Sequence, residues 1–111
     1  MRQLDRLKES FLWAAAKGGR REEVASLLEM GADVDWVSPE GDTSLLAACR
    51  NGHRGVATLL MVHGAQVNAR NREGAGALHL ACARGDEGLA SMLLEARCAA
   101  DARDRGGADA F

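Results

Sequence analysis

With 111 residues, 47% of them apolar, the chain is sized for one packed domain. Its 14 Lys and Arg against 16 Asp and Glu give a formal charge of −2, which excludes bulk attraction to nucleic acid or to an anionic membrane. No apolar run approaches the roughly 20 residues of a membrane span, so the chain is read as having no membrane partner.

The opening MRQLDRLKES has no apolar core and is not a secretory signal, so the default compartment is the reducing cytosol or the nucleus. Leu4, Leu7 and Phe11 predict a lead-in turn covering the N-terminal end. Ser10 then caps a helix carrying Leu12, Trp13, Ala15 and Ala16, which Gly18-Gly19 stops. A second helix presents Val24, Leu27 and Leu28 on one face. Glu22 and Glu23 near its start complement the helix dipole, and Gly31 suits a left-handed C-cap. Val37-Ser38-Pro39-Glu40-Gly41 is turn chemistry and holds the only proline.

The same sentence is then written again. Thr43 is an N-cap for a helix with Leu45, Ala48 and Cys49 at i, i+3 and i+4. Asn51-Gly52 breaks it; Val56, Leu59 and Leu60 form the next apolar face, and Gly64 ends it. Each helix is shorter than the roughly 12 residues that stand alone in water. Such units must stack on one another. Gly19, Gly52 and Gly85 recur every 33 residues, as do Leu12, Leu45, Leu78 and Phe111, then Leu27, Leu60 and Leu93, and Ala15, Ala48 and Ala81. Several ladders on one interval predict an all-α solenoid of helix-turn-helix units joined by hairpin-like fingers.

The motif elements GDTSLLAACRNGH, VATLLMVHGAQVNA, GALHLACARGD and EEVASLLEMGADVD resemble ankyrin repeats over nearly the whole chain. The resemblance implies three repeats, about 5–36, 37–69 and 70–102, with 103–111 opening a truncated fourth. Glu23 resembles the charged residue of N-terminal repeats that replaces a buried aliphatic. The third copy is weakest. Arg97 stands where Gly31 and Gly64 end their helices, so it must turn left-handed, at about 1–2 kcal/mol, or the turn must change. Ala100 replaces Val34 and Val67, and Gly88 sits early in a helix. With the chain stopping at Phe111, Leu89 is expected to face water or a partner, and the polypeptide to be a piece of a longer array.

Residues that could carry chemistry have simpler readings. Cys49 and Cys82 share one position and read as small buried hydrophobes; with Cys98 they make no zinc spacing. His79 stands in the family's Thr-Pro-Leu-His tetrapeptide, a structural interlock, but Gly76 replaces its threonine; in the second repeat Thr43 is present and Leu46 replaces the histidine, and Trp13 fills that place in the first. His53 and His63 read as helix-end or surface residues. No Ser/His/Asp set, phosphate loop or carboxylate pair stands out, so no enzyme activity, metal or cofactor is expected. Asn68, eight residues after Leu60, is similar to ankyrin asparagines that undergo hydroxylation; it also suits a finger-closing turn.

In the family, partners bind at the finger tips and the exposed side of the first helices. Carried over by position, these places are Lys17, Val37, Pro39, Glu40, Asp42, Arg50, Asn51, Arg70, Arg72, Glu73, Arg84, Arg103 and Arg105, seven of them cationic, and Trp36 joins Val37 and Pro39 as a small apolar anchor beside Asp42. Arginine's planar fork suits carboxylates; a solvated charged face is the simpler alternative. The expected function is a protein-interaction module that docks an acidic protein or peptide on the concave finger and first-helix side. The other class of reading is a structural or regulatory segment within a longer multi-repeat or enzyme polypeptide. Self-association through an uncapped C-terminal end is expected to accompany either. Nucleic acid ranks last, because few aromatics are present to stack on bases.

Overall fold

A computed structural model describes residues 2–97. The repeat period appears as pairs of antiparallel helices: α1 (Arg2–Gly18) with α2 (Arg21–Glu29), α3 (Ser44–Arg50) with α4 (Arg54–Val62), and α5 (Ala77–Arg84) with α6 (87–97). First helices pack side by side, α1 on α3 and α3 on α5, and second helices form an outer row with α2 on α4. Fingers connect the pairs; the one β-bridge among the described residues joins Arg70 and Gly76.

Local chemistry sets the ends. Thr43 holds an extended backbone, and its Oγ1 accepts from the Leu46 amide at 3.2 Å, the expected N-cap. Gly31 and Gly64 adopt φ of 88° and 89° just past α2 and α4, where a side chain would strain the backbone. Buried leucines and valines of every pair then close one core: Leu12, Val24, Leu45, Val56, Leu60, Leu89 and Leu93. Full burial of each is worth about 1.5–3 kcal/mol, and stacking supplies it because no single pair has two covered faces.

Four expectations are corrected. Ser10 caps nothing, and the lead-in turn is helix: α1 runs unbroken from Arg2, since no glycine or proline interrupts it before Gly18. Leu89 is fully buried rather than facing water, because α6 turns this position toward the preceding repeat, as α4 turns Val56. Cys82 is exposed while Cys49 is buried. Arg97 is neither a strained C-cap nor left-handed; it continues the helix past the point where Gly31 and Gly64 stop theirs. Ala100 and the fourth-repeat start at 103–111 lie outside the described residues.

Candidate functional site: the cationic first-helix and finger face

Each first helix carries one cation in its last turn: Lys17 on α1, Arg50 on α3 and Arg84 on α5. Positive charge is favourable there because the terminal carbonyls leave partial negative charge unpaired. Each cation also has a local support. The Lys17 ammonium lies 5.1 Å from the Trp13 ring centre. Arg50 donates to Asp42 at 3.1 Å, and Arg84 reaches back to the Arg50 carbonyl at 3.4 Å. The Arg84 guanidinium occupies the space a side chain on Gly52 would need, and Gly52 itself has φ of 73°. Each of the three first helices thus carries a cation at the same end, with Arg84 one residue past the 33-residue register of Lys17 and Arg50.

The fingers are held by their own turn residues. Ser38 Oγ accepts from the Asp42 amide at 3.3 Å, and the Gly41 amide donates to the Ser38 carbonyl at 2.8 Å. In the next finger Asn71 Oδ1 accepts from the Glu73 and Ala75 amides at 2.9 and 3.0 Å. Arg70, Arg72 and Glu73 are exposed on that finger, and Arg72 leans against Gly41 of the finger before it. Trp36 is half-buried beside an exposed Val37.

Asp42 is the exception among the expected contact residues. It is only 4% exposed, and its carboxylate is turned inward to Arg50. Its place is therefore that of a brace between finger and helix, not of an open contact. Arg103 and Arg105 lie outside the described residues.

Of the three histidines, His53 reaches across to the preceding repeat. His53 donates from Nε2 to the Lys17 carbonyl at 3.0 Å, its ring lying where Gly19 has no side chain. His63 Nδ1 meets the Leu59 carbonyl of its own helix at 3.0 Å. His79 is exposed, whereas Leu46, in the same place one repeat earlier, is buried. With Asn68, Arg70, Leu78, Cys82 and Arg97, His79 lines a groove of about 480 Å3 on the third repeat. Asn68 itself is exposed in its turn. Burial, with the Asp86 carboxylate as a second cause, pushes the Cys49 thiol up to about 12, which leaves it inert as a nucleophile. Among the described residues, no group of three His, Cys, Asp or Glu is placed to hold a metal ion.

Two features escaped the sequence reading. Arg54 of α4 clasps Asp86 at the start of α6 with two hydrogen bonds, one of them 3.0 Å, while Asp86 also accepts from the Leu89 amide at 3.0 Å. Arg54 first, and the Leu89 amide second, hold the Asp86 carboxyl below the usual aspartate range. A pair 32 residues apart has no local signature. The second feature, Lys17 over Trp13, was readable: i, i+4 on a helix places them together.

A family model described as ankyrin repeats (3 copies) matches residues 11–105. No curated protein matches the sequence.

Proposed function

The chain belongs to the ankyrin-repeat family, and on that premise we propose that it docks an acidic segment of a partner protein across its first-helix and finger face. Ankyrin repeats are generally protein-protein interaction modules and typically non-catalytic. The observation that carries the finer reading is the row of Lys17, Arg50 and Arg84, one cation per repeat at the same end of each first helix. Packed helices lie about 8–10 Å apart, close to the Debye length of about 8 Å at physiological salt. Screening is substantial at that distance and Arg50 is already paired with Asp42, so Lys17 and Arg84 on the helices, with Arg70 and Arg72 on the finger, are the cations left to attract a carboxylate. Trp36 and Val37 supply an apolar anchor and Glu73 a place for a donor, and Arg103 and Arg105 join the proposal by sequence position alone. The compartment that suits such a partner is the cytosol or nucleus; among the described residues no helix is long and apolar enough to cross a membrane.

The test is a titration of a fluorescein-labelled Glu/Phe peptide by fluorescence anisotropy. Rim charges are worth about 0.2–1 kcal/mol singly, and a desolvated bidentate arginine about 2 kcal/mol or more. Reversing Arg70, Arg72 and Arg84 to glutamate together should abolish binding while the melting temperature stays within a few degrees. Binding should also weaken as salt rises. Retained binding in the triple variant, or a loss on changing Glu29 and Glu95 instead, would overturn the reading.

A second reading has its own observation. The groove of the third repeat, with Leu78 half-buried and Cys82 exposed, is the face that in the second repeat carries a further helix pair. A structural or regulatory role inside a longer polypeptide would cover it, and a second copy could cover it by self-association. A designed repeat appended after Phe111 should then raise the melting temperature; no rise would count against this alternative.

A further inference from the structure

We propose that the outer face of the first repeat is a second docking surface, and that its occupant is an amphipathic partner helix with cations flanking its apolar stripe. The face is a groove of about 470 Å3 lined by Phe11 of α1 and by Glu22, Glu23, Ser26, Leu27 and Met30 along α2. Its apolar part is open: Phe11 is 60% exposed, Met30 61%, and Leu7, one turn before Phe11, 44%.

The 33-residue equivalence shows what this face rejects. Glu22 corresponds to Gly55 and Gly88, and Glu23 to Val56 and Leu89. In the inner repeats the glycines admit the preceding repeat closely: Arg21 lies 3.7 Å from where a Cβ on Gly55 would be, and Arg54 fills that space at Gly88. Val56 and Leu89 are buried under the contact. In the first repeat two carboxylates stand in those places. A repeat stacked there would bury both, and a buried charge without a partner opposes association.

Nor is the face built for water alone. Terminal repeats need a polar outer surface, yet three large apolar side chains remain open here. The Met30 thioether adapts readily to a partner's contours. Apolar anchors edged by carboxylates complement a segment with the reverse charge. Among the described residues Glu23 pairs with Arg20 alone, at 3.6 Å with both side chains more than half exposed, so a partner's cation exchanges into that pair at little cost. The nine residues of α2 span about 14 Å, room for two turns of a helix and two apolar anchors at i and i+3 or i+4. The required chemistry is opposite to that of the first-helix face, so one partner can engage each without competition.

The probe is a fluorescein-labelled helical peptide of leucine and lysine only, leucines on one face, set beside a matched leucine and glutamate peptide and titrated with the full chain. The Leu/Lys peptide should bind saturably, one per chain, and at least about tenfold tighter than its acidic twin. Amide shifts in NMR should gather at Phe11, Leu27 and Met30. The double variant Glu22→Lys/Glu23→Lys, and separately Phe11→Ser, should each weaken binding about tenfold or more with the circular dichroism unchanged. Met30→Ser, on the exposed end of α2, reads the same contact should Phe11→Ser fail to fold. The triple reversal of Arg70, Arg72 and Arg84 should leave this binding in place, which separates the two surfaces. Equal affinity for both peptides, survival of binding in Glu22→Lys/Glu23→Lys, or shifts elsewhere on the chain would overturn the proposal. So would sedimentation showing a second copy seated on this face to the exclusion of the peptide.

Discussion

The second and third repeats share one pattern, and equivalent positions in them meet different fates. Leu45, Leu46 and Cys49 of α3 are sealed between α1 and α5. Their counterparts on α5 are Leu78, half-buried, and His79 and Cys82, both exposed on a groove of about 480 Å3. For the identical pairs Leu45 and Leu78, and Cys49 and Cys82, position in the stack, not residue type, separates core from surface. In a solenoid a face is buried only by the neighbour that covers it, so stability accumulates interface by interface. The third repeat is covered on one side through α3 and the Arg54–Asp86 clasp.

The cysteines should show the largest contrast. Alkylation at pH 8 followed by peptide mass spectrometry should label Cys82 in the folded chain and spare Cys49 until it unfolds. With its thiol raised to about 12, Cys49 exposes a thiolate fraction of only about 10⁻⁴ at that pH, and burial blocks the reagent besides. The rates should differ by about a thousandfold or more. Similar rates would mean that the second and third repeats part readily, and the contrast would collapse.

Truncation should sharpen the same contrast in free energy. Leu45→Ala should lower unfolding stability by about 2–5 kcal/mol, as expected for a fully buried leucine, and Leu78→Ala by only about 1–2 kcal/mol. Urea titrations of both variants provide the measurement. Equal losses would show that the third-repeat face is as well covered as the second.

The smallest effect concerns the clasp between these repeats. Because Asp86 has its folded-state pKa depressed, chiefly by Arg54, its contribution is complete above the ordinary aspartate pKa. It is lost as pH falls through the lower, folded value. Asp86→Asn should therefore flatten the acid side of the stability curve, with the change centred on hydrogen exchange in residues 86–97. Arg54 is open to solvent, so added salt should diminish the difference. Parallel curves for the two proteins would remove Asp86 from the account.

Most of the fold was legible because its causes are local and repeated. Thr43 caps α3, and Gly31, Gly52 and Gly64 turn left-handed where the pattern requires it. The cationic positions Lys17 and Arg50 share the 33-residue register, whereas Arg84 stands one residue past it, beside Ala83. Asp42 was misjudged because its finger position suggests exposure, while the neighbouring helix end supplies Arg50 to draw the carboxylate inward. Leu89 was misjudged for a related reason: residues after it were taken to decide its burial, whereas the repeat before it does.

Period, element type and helix ends were thus settled along the chain, by residues within a few positions of one another acting through backbone conformation and capping. Tertiary structure alone decided which copy of a repeated residue became core, which arginine was bound to a carboxylate, and which thiol was silenced. The reason is distance. Arg54 and Asp86, Arg84 and Gly52, and His53 and Gly19 lie 32 to 34 residues apart and meet only when one repeat packs on the next. Packing also left Phe11 and Met30 open beside Glu22 and Glu23 on the outermost face, where no preceding pair of helices lies against them among the described residues.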